Sequence, residues 1–284
     1  MSVDKEALRA RMKGLKNVPT LPGVFDKISL LVKNPDTSAE DIAAVISSDQ
    51  ALSAKILRVV NSALHGFPGR ISSVTHALII LGFDVVQGLV LSTSVFDMMI
   101  SKGMHGLWAH SLGCAVTAGV IARKIEHPNP EEISIAALLH DIGKVIMKTE
   151  LPQEVDRIDE VVKDKEISIS EAEEQVIGLT HTTIGRWLCE EWYLPYKLTE
   201  PIVYHHKPTM STVVEVPTAI VHVADSLVKA NGFGFSGDNL VPEINMKAWE
   251  KLEISDLLLE EIIKEMVDQL LDAEDFLSSD NADK

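Results

Sequence analysis

Residues 37–60 read TSAEDIAAVISSDQALSAKILRVV, and their spacing decides the fold class. Thr37 or Ser38 can cap a helix with an acidic first turn, in which Ile42 and Ile46 share one face. Asp49 can cap a second helix whose apolar residues recur at helical spacing: Leu52, Ile56, Val59, Val60 and Ala63. Two short amphipathic helices in succession are therefore predicted.

The same helical pattern continues along the chain. Alternating β-branched runs are almost absent, and VVEV at 213–216 is the one brief strand candidate. The fold is therefore predicted to be all-α. Further helices are predicted over 74–81, 84–101, 105–126, 131–140, 153–163, 170–177, 181–192, 197–205 and 215–230.

Two breaks divide the pattern. SKGMH at 101–105 interrupts the apolar run, and NGFGFSGDN at 231–239 is a glycine-rich loop. They suggest an N-terminal helix at 1–14, a helical lobe at 15–104, a histidine-bearing lobe at 105–230 and a C-terminal segment at 231–284. That segment carries an amphipathic helix, expected to pack on its own core or else to form a dimer surface, with Leu258, Ile262, Met266, Leu270 and Ala273 on one face.

Charge and composition exclude several classes of protein. The net charge of −16 repels nucleic acid, and no basic cluster reverses it. The longest apolar stretches are well short of the roughly 20 residues that span a bilayer. Two isolated cysteines and a start without an apolar signal core point to a reducing cytoplasm. We expect a cytoplasmic protein that binds neither nucleic acid nor membrane.

A set of histidines and aspartates carries the chemistry. LLHDIGK at 138–144 places His140 and Asp141 at the end of an apolar helix. The rest of the set also lies within or at the end of apolar or amphipathic helices, where burial of unpaired polar groups costs several kcal/mol. Its other members are His110, His181, His205, His206 and Asp225.

A pair of divalent metal ions would give these groups partners. Imidazoles and carboxylates suit Fe, Mn, Ni or Zn, and Asp141 can bridge two ions through its two oxygens. Ions about 3.5–4 Å apart activate water and clamp a phosphoryl group, so the expected chemistry is phosphoester hydrolysis. A metal-free polar core is the alternative.

The ordered set resembles the metal ligands of the HD superfamily of phosphohydrolases, and HDIGK followed by HH is most similar to its HD-GYP branch of cyclic-di-GMP phosphodiesterases. The resemblance implies that Lys144 contacts the substrate phosphate and that Asp141 and Lys144 are the catalytic residues. It also implies one ion held by His110, His140, Asp141 and Asp225, and a second held by Asp141, His181, His205 and His206.

The N-terminal third resembles the HDOD domain, the HD-related output domain of bacterial signalling proteins. The similarity rests on VPTLPG at 18–23, the Leu-x-x-x-Asn-Ser-Ala stretch at 57–63, and ISSVTHALIILG at 71–82. It extends over roughly residues 15–230. The resemblance implies an HD-like helical bundle with an N-terminal helical lobe, acting as a regulatory module.

Three departures distinguish the chain from an active HD-GYP enzyme. Asp225 follows His206 by only 19 residues, which leaves no room for the loop that recognises cyclic-di-GMP. Gly106 stands where members with three ions carry a glutamate, so two ions are the most that the sequence supports. Lys207 and Pro208 follow the paired histidines in place of an acid.

The remaining histidines have no partner at motif spacing. His222 is the exception, because it shares a helical face with Asp225 and is placed to support the site. Asn61 is expected to bond to backbone near a helix end. Expected to be surface or satisfied core groups are His65, His76, His105 and His127.

Two functions remain open. The first is a regulatory protein with a retained metal site, acting through a protein partner or a small phosphorylated ligand, with a homodimer as a further possibility. The second is a metal-dependent phosphohydrolase that uses a substrate other than cyclic-di-GMP.

Overall fold

A computed structural model describes residues 6, 8–10, 27–28, 30–31, 34, 37–63 and 71–282. Within these ranges the chain is helical and contains no strand, which confirms the all-α prediction. The helices are α1 (Ala39–Ser47), α2 (Gln50–Ala63), α3 (Val74–Ser101), α4 (His105–Lys124), α5 (Pro130–Leu139), α6 (Ile142–Glu150), α7 (Pro152–Lys165), α8 (Ile169–Val176), α9 (His181–Glu191), α10 (Tyr196–Tyr204), α11 (Glu215–Asn231), α12 (Met246–Glu250) and α13 (Asp256–Ala282).

Both predicted caps near the start of the described chain are present. The Ser38 hydroxyl accepts the Asp41 N–H at 3.2 Å, and the Asp41 carboxylate accepts the Ser38 N–H at 2.9 Å. Asp49 accepts the Leu52 N–H at 3.0 Å and so caps α2. These side chains satisfy backbone donors that a helix start otherwise leaves unpaired.

Asn61 fastens the end of α2 to the segment before α3. Its amide donates to the carbonyls of Leu57 and Ile71, and its oxygen accepts the Ile71 N–H at 3.0 Å. The expected backbone-bonding role of Asn61 is confirmed. His65, the Ser62 side chain, VPTLPG at 18–23 and most of residues 1–14 lie outside the described residues.

Helix α3 joins two predicted helices into one element. The backbone bends at Gly82, where φ is +79°, a conformation that glycine adopts without strain. Among the described residues α3 is the one helix long and apolar enough to cross a membrane, and 56% of its most apolar window is buried. Helix α3 packs against α1, α2 and α5.

Helix α4 is the central support of the C-terminal two thirds. It packs against α5, α11 and α13, and nearly its whole length from Leu107 to Ala122 is buried. The predicted packing of the last helix on its own core is confirmed, because Ile262, Met266 and Leu270 are at most 3% exposed.

One local prediction is wrong. VVEV at 213–216 forms no strand, because Glu215 and Val216 begin α11 and the two preceding valines lie in a bend. The glycine-rich loop at 231–239 is present, and it leads to the short helix α12. The proposed domain limits remain predictions.

Candidate metal centre

The seven residues predicted as ligands converge between helices α4, α5, α6, α9, α10 and α11. Helix ends supply five of them: His140 ends α5, Asp141 precedes α6, His181 begins α9, and His205 and His206 follow α10. His110 and Asp225 come from the middle of α4 and α11. The fold thus brings together positions up to 115 residues apart in the sequence, from His110 to Asp225.

Asp141 lies at the middle of the cluster, with one carboxylate oxygen toward each half. Its Oδ2 is 3.3 Å from His140 Nε2 and 3.8 Å from His110 Nε2. Its Oδ1 is 3.3 Å from His181 Nε2 and 3.8 Å from His205 Nε2. A carboxylate in this position can bridge two ions, as the sequence predicts.

Asp225 completes the first half of the cluster. Its Oδ1 is 3.2 Å from His110 Nε2, and its Oδ2 lies 4.0 Å from His206 Nδ1. Cys114, one turn after His110, places its sulfur 3.5 Å from His110 Nε2. The ligand atoms of His110, Cys114, His140 and Asp225 all lie within 4.8 Å of one another. Cys114 is an additional donor that the sequence analysis treated as isolated.

The second half consists of three histidines. His181 Nε2 is 3.4 Å from His205 Nε2 and 3.1 Å from His206 Nε2. Three ring nitrogens that face one another at such distances cannot all be satisfied by mutual hydrogen bonds. They form a group able to hold an ion.

Protein acceptors behind the rings orient the imidazoles. His140 Nδ1 lies 2.6 Å from the Ala137 carbonyl, and His205 Nδ1 lies 2.9 Å from the Ile202 carbonyl. A carbonyl oxygen can only accept a hydrogen bond, so Nδ1 is the donor in both contacts. In the neutral form of each ring, the Nε2 lone pair therefore points into the cluster. That tautomer is the one a metal ligand needs.

Glu173 performs the same task for His181, and the sequence analysis missed it. Its Oε2 accepts the His181 N–H at 2.8 Å and lies 2.7 Å from His181 Nδ1. Glu173 is 1% exposed. A signal was present, because Glu173 lies one turn from Ile169 and from Ile177, on the apolar stripe of α8.

The cluster fits a metal better than it fits a metal-free core. Asp141 Oδ1 and His140 Nε2 are buried without a hydrogen-bond partner, although such atoms are costly to leave unpaired. Nitrogen and carboxylate donors of this kind suit first-row divalent ions. A pair of such ions would supply Lewis acidity and an activated water.

The protonation states of Asp141, His205 and His206 also suit metal binding. Burial, reinforced by neighbouring imidazoles, lowers the pKa of His205 well below its ordinary value and that of His206 to about 3. Burial opposes ionisation of Asp141, but His140 and Lys144 outweigh it and hold the pKa of Asp141 well below its usual range. Burial lowers the pKa of His140, but the Asp141 carboxylate outweighs this and raises it, so His140 must release a proton when a metal binds. Neutral His205 and His206 beside an ionised Asp141 are in the forms that bind metal.

Lys144 is engaged within the protein. It is 8% exposed, and its Nζ donates to Asp141 Oδ2 at 2.7 Å and to the Ser236 carbonyl at 2.9 Å. Burial lowers the pKa of Lys144, but the carboxylates of Asp141, Glu173 and Asp225 together outweigh burial and raise the pKa. Lys144 therefore holds Asp141 in this structure, and two of its three ammonium N–H groups are bonded within the protein.

Two glycines explain parts of the motif pattern. A Cβ on Gly143 would overlap the His181 carbonyl oxygen, so the glycine of HDIGK allows α6 to approach the start of α9. A Cβ on Gly106 would lie 3.0 Å from Phe235 Cβ. The loop that carries Phe235 therefore occupies the space beside Gly106.

Access to the cluster is narrow. Six of the seven side chains are at most 3% exposed, and His206 is 26% exposed. His222 supports the wall of the site, because its Nδ1–H donates to the His205 carbonyl at 2.7 Å while its Nε2 accepts the Asn245 N–H at 2.9 Å. The predicted supporting position of His222 is observed. His76 and His105 are exposed, and His127 accepts the Asn129 N–H, so all three lie outside the cluster.

The family model of the HDOD domain matches residues 18–208. An uncharacterized protein of Treponema pallidum (strain Nichols) is 27% identical over 215 residues, which are 70% of this chain and 41% of that protein. The matched region thus spans about two fifths of the relative's length.

Solved structures share the fold over nearly the whole chain. An HDOD domain protein of unknown function from Geobacter sulfurreducens is 27% identical, with a TM-score of 0.71 over 94% of this chain and 96% of that one. A protein from Shewanella amazonensis SB2B, named as a proposed metal-dependent phosphohydrolase, is 20% identical, with a TM-score of 0.61 over 96% and 98% of the two chains. The second likeness concerns the fold alone.

Proposed function

The chain belongs to the HDOD domain family, and we propose that it is a regulatory protein whose buried cluster binds two divalent metal ions. Asp141 would bridge the ions. His110, His140 and Asp225 would complete one site, while the second would be completed by His181, His205 and His206. Iron, manganese, nickel and zinc all suit this donor set.

The closure of the site is the observation that favours regulation over turnover. Hydrolysis requires a substrate to reach the bridging water, yet the ligands are almost wholly buried and Lys144 is bonded to Asp141 and the Ser236 carbonyl. A buried metal centre fixes the relative positions of the helices that supply its ligands. Metal binding is therefore proposed to stabilise the conformation that a partner recognises.

The partner is a further proposal. A protein that responds to the conformation, or a small phosphorylated ligand, would receive or supply the signal, and a homodimer is a third arrangement. The acidic net charge of −16 supports partners other than nucleic acid. A cytoplasmic location is proposed because Cys114 and Cys189 are free thiols, which suits a reducing compartment.

The direct test combines metal content with activity. Protein expressed in metal-replete medium and purified without oxygen is expected to contain about two ions per chain by elemental analysis, and His140→Ala is expected to lose at least one. Chelation is expected to lower the melting temperature of the native protein. Native protein that contains no metal, and that added metal does not stabilise, would contradict the proposal.

A metal-dependent phosphohydrolase is the second candidate. The position of Asp141, with Oδ1 and Oδ2 facing different histidines, favours it because such a bridge also serves hydrolysis. Metal-loaded protein should be assayed against cyclic dinucleotides, nucleotides and a chromogenic phosphate ester. Turnover at ordinary enzymatic rates that His140→Ala abolishes would replace the regulatory proposal with this one.

A further inference from the structure

A cavity lies beside the metal centre and is separate from it. Its volume is about 260 Å³, and none of the seven proposed metal ligands lines it. Helices α4, α6, α7 and α8 and the loop after α11 form its walls. Most of the lining is apolar, including Leu107, Met147, Val155, Ile158 and Phe235.

Two hydrogen-bond donors meet in this apolar lining. The Ser236 hydroxyl is buried without a hydrogen-bond partner, and Ser236 is 4% exposed. Lys144 also lines the cavity, and two of the three N–H groups of its ammonium are bonded, to Asp141 and to the Ser236 carbonyl. A hydroxyl without a partner and a remaining ammonium N–H are therefore available to an acceptor atom of a ligand.

The charges around the cavity disfavour an anionic ligand. Two lysines line the cavity, but Lys144 is already neutralised by Asp141 and Lys148 by Asp156. The acids Glu173 and Asp159 also line it. A carboxylate or phosphate would add negative charge beside both acids in a largely apolar space, which is costly. A neutral carbonyl oxygen has two lone pairs and can accept from Lys144 and Ser236 together without added charge.

We propose that this cavity binds a small neutral molecule with an apolar body and one carbonyl oxygen, such as a medium-chain ketone. The oxygen accepts from Ser236 and Lys144, and the chain lies against Leu107, Ile158 and Phe235. A volume of about 260 Å³ is below the roughly 300–1,000 Å³ of sites for drug-sized ligands, so the molecule is smaller than a dinucleotide.

This site goes beyond the regulatory proposal and does not depend on bound metal. A ligand in this cavity could act as a small-molecule signal in the proposed regulation. It would bond to Lys144, which in turn donates a hydrogen bond to Asp141. Part of the site comes from Phe235 and Ser236, which lie beyond the matched family segment of 18–208.

The test uses 2-heptanone as the probe and hexanoate as its anionic counterpart. Titration calorimetry of the full chain is expected to show saturable binding of 2-heptanone to one site per chain, and at least tenfold weaker binding of hexanoate. Failure of 2-heptanone to bind saturably would overturn the site. Equal or tighter binding of hexanoate would overturn the neutral class of ligand.

Two variants locate the binding. Val155→Phe fills the cavity and is expected to abolish binding, whereas Val161→Phe on the same helix α7, outside the cavity lining, is the matched control and should bind normally. Ser236→Ala leaves the volume almost unchanged and removes one donor, so it is expected to weaken binding about fivefold. Normal binding by either cavity variant would contradict the assignment, and Ser236→Ala decides the matter if Val155→Phe does not fold.

Discussion

Residues 39–101 and residues 105–231 pack helices in the same way but bury different groups. Within the described part of the first region, no fully buried side chain carries a charge or an imidazole, and the buried hydroxyls of Ser92 and Thr93 bond to carbonyls of their own helix. The second region buries a cluster in which each ionisable group has another as its neighbour. Apolar packing alone can hold helices together. Burying ionisable groups costs free energy, so the cluster in the second region indicates that these groups serve a function.

The largest expected effect comes from Asp141→Asn. The substitution leaves Lys144 buried without its carboxylate partner, so the free energy of unfolding should fall by about 3 kcal/mol, and metal content should fall close to zero. Urea unfolding and elemental analysis measure the two effects. Asp97→Asn, which removes a half-exposed pair with Lys55, is the control from the first region, and it should retain metal. Equal losses of stability and of metal in Asp141→Asn and Asp97→Asn would show that the two regions do not differ in this way.

Gly143→Ala should disturb the contact between α6 and α9. The added methyl group overlaps the His181 carbonyl, and relief of such overpacking costs about 1–3 kcal/mol. Calorimetric melting and metal titration should show lower stability and weaker binding. Thr149→Ala, near the far end of α6, serves as the comparison. A stable Gly143→Ala protein with normal affinity would show that this close approach is unimportant.

Glu173→Gln tests the orientation of His181 with little change of shape. The amide is a weaker acceptor for the imidazole N–H, so metal affinity should fall about 10- to 100-fold. Competition with a chelator of known affinity measures it. Glu171→Gln, whose carboxylate bonds to Ser168 at the exposed end of the same helix, should bind metal normally. Loss of affinity in both variants would point to a general effect on α8.

The metal-free cluster should make stability depend on pH. The folded pKa of His206 is about 3, below the ordinary value of 6.5, so the unfolded chain binds the proton more readily. Its contribution is complete above pH 6.5 and is lost as pH falls toward 3, at about 1.4 kcal/mol for each pH unit. Urea unfolding of protein freed of metal by a chelator should give a free energy of unfolding that falls between pH 7 and pH 5. His206→Gln should reduce the slope of that fall. An unchanged slope would show that the pKa of His206 is not lowered in the folded protein.

Asn61→Ala should have the smallest effect and should leave the metal centre intact. It removes the bonds to Leu57 and Ile71, which should lower the free energy of unfolding by about 1–2 kcal/mol. Chemical unfolding gives the stability and elemental analysis the metal content. Loss of metal from this variant would show that the two regions are coupled.

Much of the fold could be predicted because helical spacing is a local property. Most predicted helix ends lie within two residues of those observed. The strand predicted at 213–216 was wrong because it rested only on the β-branched side chains of the valines. Val213 and Val214 lie in a bend just before α11. The separate helices 74–81 and 84–101 became one element because the bend at Gly82 interrupts the pattern without ending the helix.

The cluster could be proposed because its residues stand in a recognisable order, whereas their surroundings depend on distant contacts. Glu173 and Cys114 have no motif, and each acquires its place through the approach of another helix. The engagement of Lys144 depends on Ser236, which is 92 residues away in the chain. No local pattern specifies such a pairing.

The position of α11 and its loop has a practical consequence for work on fragments of this protein. The matched family segment ends at residue 208, yet Asp225 and His222 lie on α11, and the loop beyond it supplies Ser236. A shortened gene cut at the family boundary would encode the recognisable motif without one proposed ligand and without the loop that covers Lys144. A negative result from such a fragment would describe a truncated site, so functional work should include at least residue 245, whose N–H bonds to His222.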